Sequence, residues 1–498
     1  MAEFDPSRLT PRAFAALFAA LFAASSLPVL LCGVLPLVDY PNHLARAAIL
    51  ARLPADATLQ HYYVASWGPL ANLAMDAIVP PLLAILPLEA AGHVFVLVTF
   101  LLLAGGTALL HRVLCGRWSA WPCLAFLLLY GRLLLWGLLN FLFGLGLALA
   151  ALAAMIALGG RGVATRIAAG AAFALALYFA HLMAFGIYAV VLLGIEAAAF
   201  PRAPVAVSAR LAVAALPLAA PLAIMLVAGV GGGGAVTFSE PWRKLDLMFS
   251  VFDLYHRPFD IACFALAVAG LGWAYWRRWL VLAPALALPL LLLAILYIAM
   301  PSQMLGASGV DRRLPLALAL LVCAGTQWAG PRPGPGRVIL AGAGAMFVLR
   351  LATVAASWAA SDREYRALLD GLESVPLGSR IAVAAPPDAV NVSATPLLHL
   401  PVLAAAERDA FVPSLFAIPG QQPIAFAGDY RALAEATSPD RLWRAFTAGV
   451  PLDEADRAVL RRYDYIVFVG TRPFALADRT GLVPAFLAPR LQLYRIAG

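Results

Sequence analysis

Charged residues are scarce in this sequence, and lysine is almost absent. Only 12% of its 498 residues are charged, and Lys244 is the single lysine. Soluble globular chains carry about 25% charged and about 45–50% apolar residues, whereas 63% of this chain is hydrophobic. A soluble core cannot bury that surplus, so the composition excludes an ordinary soluble protein. The Ala-, Arg- and Leu-rich usage suggests a GC-rich bacterial source.

Cysteine is also scarce, and its five copies show no paired spacing. All lie within or at the ends of apolar runs, and the last quarter of the chain has none. Disulfide frameworks and cysteine metal sites use regularly spaced cysteines, so the sequence supports neither. The five are Cys32, Cys115, Cys123, Cys263 and Cys323.

The sequence signatures of several protein classes are missing. There is no Gly-x-Ser-x-Gly elbow, no His-Glu-x-x-His and no Walker motif, so serine hydrolases, zincins and ATP-driven transporters lack their marks. No internal repeat is evident, which disfavours a transporter built from two related halves. No basic stripe with interleaved aromatic residues is present, which excludes nucleic acid as a partner.

Long apolar runs are abundant. About 17–25 apolar residues cross a bilayer as a helix, because lipid offers backbone groups no partner and a helix satisfies them internally. The hydropathy predicts a polytopic α-helical membrane protein over residues 1–359, with about eleven transmembrane helices. They are expected near 14–38, 90–110, 119–131, 134–158, 167–180, 183–199, 211–229, 259–276, 279–300, 314–329 and 338–358.

The loops between these runs indicate an orientation. The first run, 14–38, is too long for a signal peptide and is interpreted as the first span. With a cytoplasmic N-terminus, every cytoplasmic loop carries an arginine pair. An odd number of spans then places the C-terminus on the periplasmic side of a bacterial inner membrane. The pairs are Arg8 and Arg12, Arg112 and Arg117, Arg161 and Arg166, Arg202 and Arg210, Arg277 and Arg278, and Arg332 and Arg337.

Residues 360–498 differ from the rest of the chain in composition and hydropathy pattern. Charged, amphipathic helices alternate with short apolar strands, which predicts a soluble α/β domain on the extracytoplasmic side. This part holds 14 arginines and 15 acidic residues, so the positive excess of the chain lies beside the membrane in 1–359. That placement suits topology signals and anionic lipid headgroups. Strands are expected at 380–385, 423–427, 465–469 and 492–496.

The first outer loop, 39–89, is predicted to hold two short juxtamembrane helices, at 39–53 and 70–89. The second is apolar but contains Asp76 and the pair Pro80-Pro81. Adjacent prolines break or kink a helix, and a lone carboxylate is costly in lipid. Asp76 is therefore either a site residue or a buried hydrogen-bond partner that holds this juxtamembrane or re-entrant helix.

The stretch Asp39-Tyr40-Pro41-Asn42-His43-Leu44-Ala45-Arg46 directly follows the first span. If Pro41 is the first helical position, Asp39, His43 and Arg46 share a polar face, because residues three and four apart align on a helix. One interpretation makes Asp39 a helix cap and His43 a surface group. The other makes Asp39 a catalytic carboxylate where lipid-linked substrates meet water.

These features together resemble the GT-C class of membrane glycosyltransferases. The likeness covers the architecture of about residues 10–360: a long first span with Asp39 at its outer end, two juxtamembrane helices, some eleven spans and a soluble C-terminal domain. The residues that carry it are 39–43, Asn72, Asp76, 137–141 and 181–185. Many members show an acidic pair in the first loop. This chain has one isolated aspartate, which leaves the need for a divalent metal ion open.

The resemblance implies transfer of a sugar from a polyprenyl-phosphate carrier to an acceptor lipid, glycan or protein at the outer face. The anomeric carbon would be inverted. Asp39 would take the proton of the acceptor hydroxyl, with its pKa raised by low-dielectric surroundings. His43, one turn further on, would orient Asp39 or bind substrate.

The departing phosphate needs cationic or hydrogen-bonding groups as charge develops on it. The sequence Asp311-Arg312-Arg313 precedes the tenth span and offers two guanidinium groups suited to bidentate phosphate binding. The alternative is a pair of arginines that snorkel to the interface. Arg132 and Lys244, in other outer loops, are further candidates for the same role.

Two more residues are candidates for substrate contact. Trp242 follows the glycine run 231–234, which is interpreted as a flexible hinge, and it would either stack on a sugar or anchor at the interface. His181, near the outer end of its span, would either contact substrate or form a hydrogen bond between helices.

The rival interpretation is a non-enzymatic membrane protein, either a lipid-linked glycan transporter or a cell-envelope assembly scaffold. In it, Asp39 and the arginines only bind a headgroup. Transport requires a polar path through the centre of the bilayer. The candidate residues are instead predicted to gather at one membrane face, which favours an enzyme.

Overall fold

The structure, a computed structural model, describes residues 7–198, 204–229, 235–304, 306–387 and 397–497. Within these ranges the chain is mostly helical up to residue 372. In order, the elements are α1 (Pro11–Leu31), α2 (Tyr40–Arg52), α3 (Ala57–Tyr62), β1 (Tyr63–Ala65), α4 (Ala74–Leu82), α5 (Leu88–Cys115), α6 (Arg132–Leu135), α7 (Leu139–Ala157), α8 (Val163–Ala180) and α9 (Leu182–Ala197). They continue with α10 (Pro204–Ala215), α11 (Ala219–Val227), α12 (Pro241–Phe249), α13 (Arg257–Trp276), β2 (Leu280–Leu282), α14 (Ala287–Ala299), β3 (Gln303–Met304), β4 (Ala307–Ser308), α15 (Leu314–Gly325), β5 (Thr326–Trp328) and α16 (Gly334–Leu372).

Seven helical segments of the described residues are long and apolar enough to cross a membrane. Many of their large apolar side chains are exposed, as a surface covered by lipid requires. Their length and composition indicate a helical membrane protein. The seven are Pro11–Leu31, Leu88–Cys115, Leu139–Gly160, Val163–Ala180, Val205–Val227, Arg257–Trp276 and Gly334–Leu372, with shorter apolar helices at Trp121–Leu135, Leu182–Ala197 and Pro284–Ala299.

The third expected span, 119–131, is not one α-helix. Trp121–Leu128 forms a 3-10 helix of 8 residues, and the short α6 follows it. At about 2 Å of rise per residue, such a segment covers roughly half of a hydrocarbon core about 30 Å thick. Hydropathy measures apolar character and not helix type, so it does not distinguish this segment from a full span.

The first helix also differs from the expected 14–38, because α1 ends at Leu31. Gly33 and Pro36 disfavour continuation of the helix, and the backbone N–H of Gly33 donates to Asp362 Oδ1 at 2.8 Å. Residues 32–38 therefore form an apolar, non-helical connection that leads into Asp39. A helix forms in each of the two first-loop segments where one was expected: α2 matches 39–53, whereas α4 covers only Ala74–Leu82 of 70–89.

The C-terminal region carries most of the sheet. Its elements are β6 (Ile381–Ala384), α17 (Ala404–Glu407), β7 (Ile424–Phe426), α18 (Asp429–Ala436), α19 (Pro439–Ala448), α20 (Glu454–Leu460), β8 (Tyr465–Val469), β9 (Leu482–Leu487) and β10 (Leu491–Ile496). Four strands form a sheet in the order β6-β8-β10-β9, with β6 parallel to β8 and the other pairs antiparallel. All four expected strands are confirmed, and β9 is an additional one.

The second expected strand, β7, lies outside this sheet and pairs with β1 of the first loop. Tyr63 lies opposite Phe426, and Ala65 lies opposite Ile424 in an antiparallel register. The Tyr63 hydroxyl also donates to the Ala410 carbonyl at 2.7 Å. The C-terminal domain therefore docks on the first loop at one end of the helical bundle, which we call the capped end.

The change of composition at residue 360 falls inside a single helix. Helix α16 runs without interruption through 39 residues, from the apolar bundle into the C-terminal domain. Residues 359–372 contain no proline, and their only glycine is Gly371, so nothing ends the helix where the hydropathy changes. The two parts of the chain are thus joined by a continuous helix.

Candidate functional site

The backbone around Asp39 is held against a tight turn between α6 and α7. The N–H of Val38 donates to the Leu135 carbonyl at 2.9 Å, and the N–H of Asp39 donates to the Trp136 carbonyl at 3.1 Å. Gly137 in this turn has a φ of +81°, and a Cβ there would lie 2.9 Å from the Asp39 nitrogen. Only glycine allows this approach, so the stretch 137–141 contributes by positioning Asp39.

Asp39 precedes helix α2, but its side chain makes no capping hydrogen bond. The side chain is 19% exposed, and burial raises the pKa of its carboxyl to about 7, while Arg46 and Arg313 act to lower it. A carboxylate in this range is half ionised near neutral pH and suits a general base. The cap interpretation of Asp39 does not describe its side chain.

His43 and Asp76 belong to a buried group centred on Arg46. The Arg46 guanidinium binds both carboxylate oxygens of Asp76, with Nη2 2.9 Å from Oδ2. It also donates to Nδ1 of His43 at 3.0 Å, and the ring of His43 interacts with the Gly137 backbone. Both Arg46 and Asp76 are 2% exposed. Asp76 thus acts as the buried partner that ties α4 to α2.

Burial keeps His43 neutral. It lowers the pKa of the imidazole to about 3, and the positive charge of Arg46 acts in the same direction. Because Arg46 and the Gly137 backbone occupy the two sides of the ring, His43 braces the turn that holds Asp39. Its contribution to the site is structural support, one helical turn from the carboxylate.

The two adjacent arginines before α15 differ in their surroundings. Arg313 is 8% exposed and donates to the carbonyls of Ser308 and Gly309 at 3.2 and 2.9 Å. Burial lowers its pKa to about 10, and its charge acts on Asp39. Arg312 is half-buried and lies over the Trp136 ring, 5.5 Å from the centroid. No described residue forms a hydrogen bond or ion pair with the Arg312 guanidinium.

Asp311, Lys244 and Arg132 are engaged in ion pairs. Asp311 is fully buried, and its Oδ2 lies 2.8 Å from Nζ of Lys244 and accepts from Ser239 at 3.0 Å. Lys244 donates as well to the Met300 carbonyl at 2.7 Å. Arg132 pairs with a buried carboxylate, Asp253. These contacts join loops of the capped end. Of the four candidate cations in the described residues, Arg312 alone has neither an ion pair nor a hydrogen bond.

His181 lies between α8 and α9 and forms part of the site wall. Its Nδ1 accepts from the N–H of Met183 at 3.1 Å, and its ring packs against Phe141, with centroids 5.3 Å apart. Burial lowers the pKa of His181 well below its ordinary value, and Arg313 adds to this effect. This hydrogen bond caps α9 and does not join two separate helices, so it differs from the expected bond between helices, while contact with substrate stays a prediction.

Two asparagines connect this wall to the first loop. Asn72, at a φ of +68°, accepts through Oδ1 from the N–H of Leu182 at 3.1 Å. Asn140 accepts from the N–H of Met75 at 2.8 Å and donates to the Asn72 carbonyl. Both residues carry the family resemblance, and both hold backbone segments together.

Trp242 remains apart from these residues. It lies on α12, is 64% exposed, and stacks with Arg243 at 5.4 Å. Within the described ranges, no contact brings it to Asp39. The glycine run 231–234 lies outside the described residues.

A residue that the sequence analysis missed completes the site. His399, from the C-terminal domain, has Nε2 3.7 Å from Oδ1 of Asp39. Its ring packs on Phe416, with centroids 4.9 Å apart. It occurs in an unremarkable stretch between leucines, so no local pattern distinguishes it from the other histidines. We call Asp39, Arg312, Arg313, His181 and His399 the Asp39 cluster.

The side chains around Asp39 are arginines and histidines. Among the described residues, no group of three or more His, Cys, Asp or Glu side chains is arranged to hold a metal ion. All five cysteines are free. No protein-family model and no curated protein matches this chain.

Proposed function

We propose that this chain is an inverting glycosyltransferase of the GT-C type that uses a polyprenyl-phosphate-linked sugar as donor. One observation carries the proposal: Asp39, a half-buried carboxylate with a raised pKa, and Arg312, an arginine without an ion-pair partner among the described residues, both contact Trp136. The Trp136 residue links them, because its carbonyl accepts from Asp39 and its ring supports Arg312. A base and an anion-binding group are what this reaction requires.

The proposed reaction uses both groups in one displacement. The acceptor oxygen forms a bond to the anomeric carbon, and the acceptor proton moves to the Asp39 carboxylate. The bond from that carbon to the phosphate oxygen breaks, with its electron pair remaining on the phosphate. Arg312 stabilises the charge that develops there through charge-assisted hydrogen bonds. The acceptor is a lipid, a glycan or a protein with a free hydroxyl or amide group.

We place the capped end on the periplasmic side of a bacterial inner membrane. The support for this orientation is the regular arginine pairing of the opposite loops. The seven long helices and the three shorter apolar segments make ten, and α15 (Leu314–Gly325) would be the eleventh crossing. In this arrangement a polyprenyl donor reaches Asp39 from the membrane, and the C-terminal domain covers the acceptor side.

Sugar transfer by the purified full-length chain tests the proposal. The protein in lipid nanodiscs is incubated with synthetic polyprenyl-phosphate hexoses and pentoses and a mixture of cell-envelope acceptors. Release of polyprenyl phosphate that depends on Asp39 supports the proposal. Movement of an intact lipid-linked glycan between leaflets, with no cleavage of any donor, contradicts it and favours the transporter.

The pH dependence of the rate is a first specific prediction. Because a base must be ionised and burial raises the pKa of Asp39 to about 7, the rate is expected to fall about tenfold per pH unit below that value. Above it the rate should level off. Steady-state rates from pH 5 to 9 measure this, with circular dichroism as a control for folding. A flat profile down to pH 5 would exclude Asp39 as the base.

Replacement of Arg312 is a second prediction. Arg312→Ala should lower kcat by about 100-fold, the usual loss when one group that stabilises developing negative charge is removed. Arg312→Lys should be intermediate, since lysine keeps the charge but loses the planar fork. The matched control is Arg243→Ala, which removes another arginine stacked on a tryptophan, at 5.4 Å, from an exposed position. Equal losses from both variants would contradict the assignment.

A further inference from the structure

The C-terminal domain is attached firmly to the first loop around the Asp39 cluster. The N–H of Phe416 donates to Asn42 Oδ1 at 2.8 Å. Arg52 pairs with Asp409 at 2.8 Å and donates to the Ala406 carbonyl at 2.9 Å. In the C-terminal domain these contacts lie at Ala406, Asp409 and Phe416, all shortly after His399 in the sequence, and the strand pair β1 and β7 adds a third attachment. The position of His399 relative to Asp39 is thus set by the docking.

The imidazole of His399 is oriented toward the carboxylate. Its side chain is 15% exposed, with Nε2 3.7 Å from Asp39 Oδ1, and the buried Nδ1 has no hydrogen-bond partner among the described residues. This separation of 3.7 Å is about 0.7 Å longer than the usual N···O distance in a hydrogen bond. A small rotation of either side chain brings the two atoms into hydrogen-bonding distance.

We propose that His399 is a positioning residue that, as a neutral imidazole, donates its Nε2 hydrogen to one oxygen of Asp39. The other oxygen is then aimed at the acceptor. This inference rests on the proposed function and extends it, because it makes the docked C-terminal domain part of the catalytic arrangement. Without docking, the carboxylate loses the group that orients it.

Neutrality of the imidazole is what makes this arrangement productive. An imidazolium at this distance would form an ion pair with Asp39 and stabilise its ionised form. The pKa of Asp39 would then fall, and the carboxylate would be a weaker base. Burial lowers the pKa of His399 to about 4, which keeps the ring uncharged at neutral pH. The other charged groups that act on Asp39 are Arg46 of α2 and Arg313, which precedes α15.

Three substitutions at one position test this inference in the nanodisc assay. His399→Ala should lower kcat by up to about 100-fold with little change in KM, because the base loses its orientation. His399→Gln keeps a neutral donor and should recover most of the rate. His399→Lys adds a permanent charge and should shift the acidic limb of the pH profile to lower pH. A structural role alone would not produce that shift.

His61→Gln is the matched control. It removes a histidine from the same domain contact, where His61 Nε2 lies 2.9 Å from the Tyr430 hydroxyl, at an exposed position. Its rate and pH profile should equal those of the wild type. Limited proteolysis of each variant reports whether the C-terminal domain remains docked.

The outcomes separate the two proposals. Sugar transfer that survives Asp39→Asn overturns the proposed function whatever His399 does. Transfer that requires Asp39 but is unchanged in His399→Ala and His399→Lys overturns the role of His399 alone. A His399→Gln variant that is docked yet as slow as His399→Ala also overturns the positioning role.

Discussion

Asp39→Asn is expected to lower the rate of sugar transfer by about 10³-fold and, at the same time, to stabilise the folded protein above pH 7. General-base catalysis contributes about 10²- to 10⁴-fold, and an amide cannot accept the proton. The gain in stability arises because burial raises the pKa of Asp39 from 3.8 to about 7. Once the carboxylate is ionised, its desolvated charge destabilises the native state, and asparagine avoids that cost.

The sign of the stability effect follows from this pKa. The native protein favours the protonated carboxyl, so the stabilisation by protonation is complete below pH 3.8 and is lost as the pH rises to about 7. At alkaline pH the ionised Asp39 lowers the free energy of unfolding by on the order of 4 kcal/mol relative to its protonated form. Because asparagine carries no charge, the Tm difference between variant and wild type should widen from pH 5 to pH 8.

Thermal unfolding and transfer assays on the same preparations check both effects. Asp56→Asn is a suitable control, since Asp56 caps α3 through hydrogen bonds to Thr58 and Leu59, and asparagine also caps helices well. It should change neither the rate nor the pH dependence of Tm. An Asp39→Asn variant that is inactive and less stable would indicate a structural role for Asp39.

Breaking the buried pair between Arg46 and Asp76 is expected to destabilise the protein strongly. Asp76→Ala leaves the Arg46 charge buried without a carboxylate, which costs on the order of 3–5 kcal/mol. The double variant Arg46→Met with Asp76→Leu removes both charges and should recover most of the loss. Because α4 is tied to α2 by this pair, the single variant should also become sensitive to proteolysis in the first loop.

Equilibrium unfolding in detergent with urea measures these differences. Glu435→Ala is the control, because its pair with Arg431 is exposed and such pairs contribute only about 0–1 kcal/mol. If Asp76→Ala abolished transfer while leaving stability unchanged, Asp76 would be a substrate-binding residue, and its assignment as the structural partner of Arg46 would be wrong.

The candidate site was partly predictable from local patterns. The stretch after the first span correctly indicated a helix with Asp39, His43 and Arg46 on one face, because that inference needs only the 3.6-residue repeat and Pro41 at its start. The pattern also indicated two adjacent arginines. It did not distinguish the buried Arg313 from Arg312, since that difference depends on which carbonyls fold back on each side chain.

Contacts between distant parts of the chain could not be predicted in the same way. His399 lies 360 residues from Asp39 in the sequence, and no hydrophobic or polar repeat connects them. The pairing of β1 with β7 is similar, because each strand has only 3 residues and neither has a partner nearby in sequence. The roles of Lys244 and Arg132 were likewise decided by carboxylates on other segments.

The sequence by itself determined that the chain is a helical membrane protein with a strand-containing C-terminal region, and that an aspartate follows the first apolar helix. These properties depend on composition and on short-range periodicity, which each segment carries independently. Only the tertiary structure decided which charges neutralise one another, which arginine stays available, and that His399 faces Asp39. Those outcomes depend on burial and on distances between remote segments, because a charge in a low-dielectric interior is governed by its nearest partner in space.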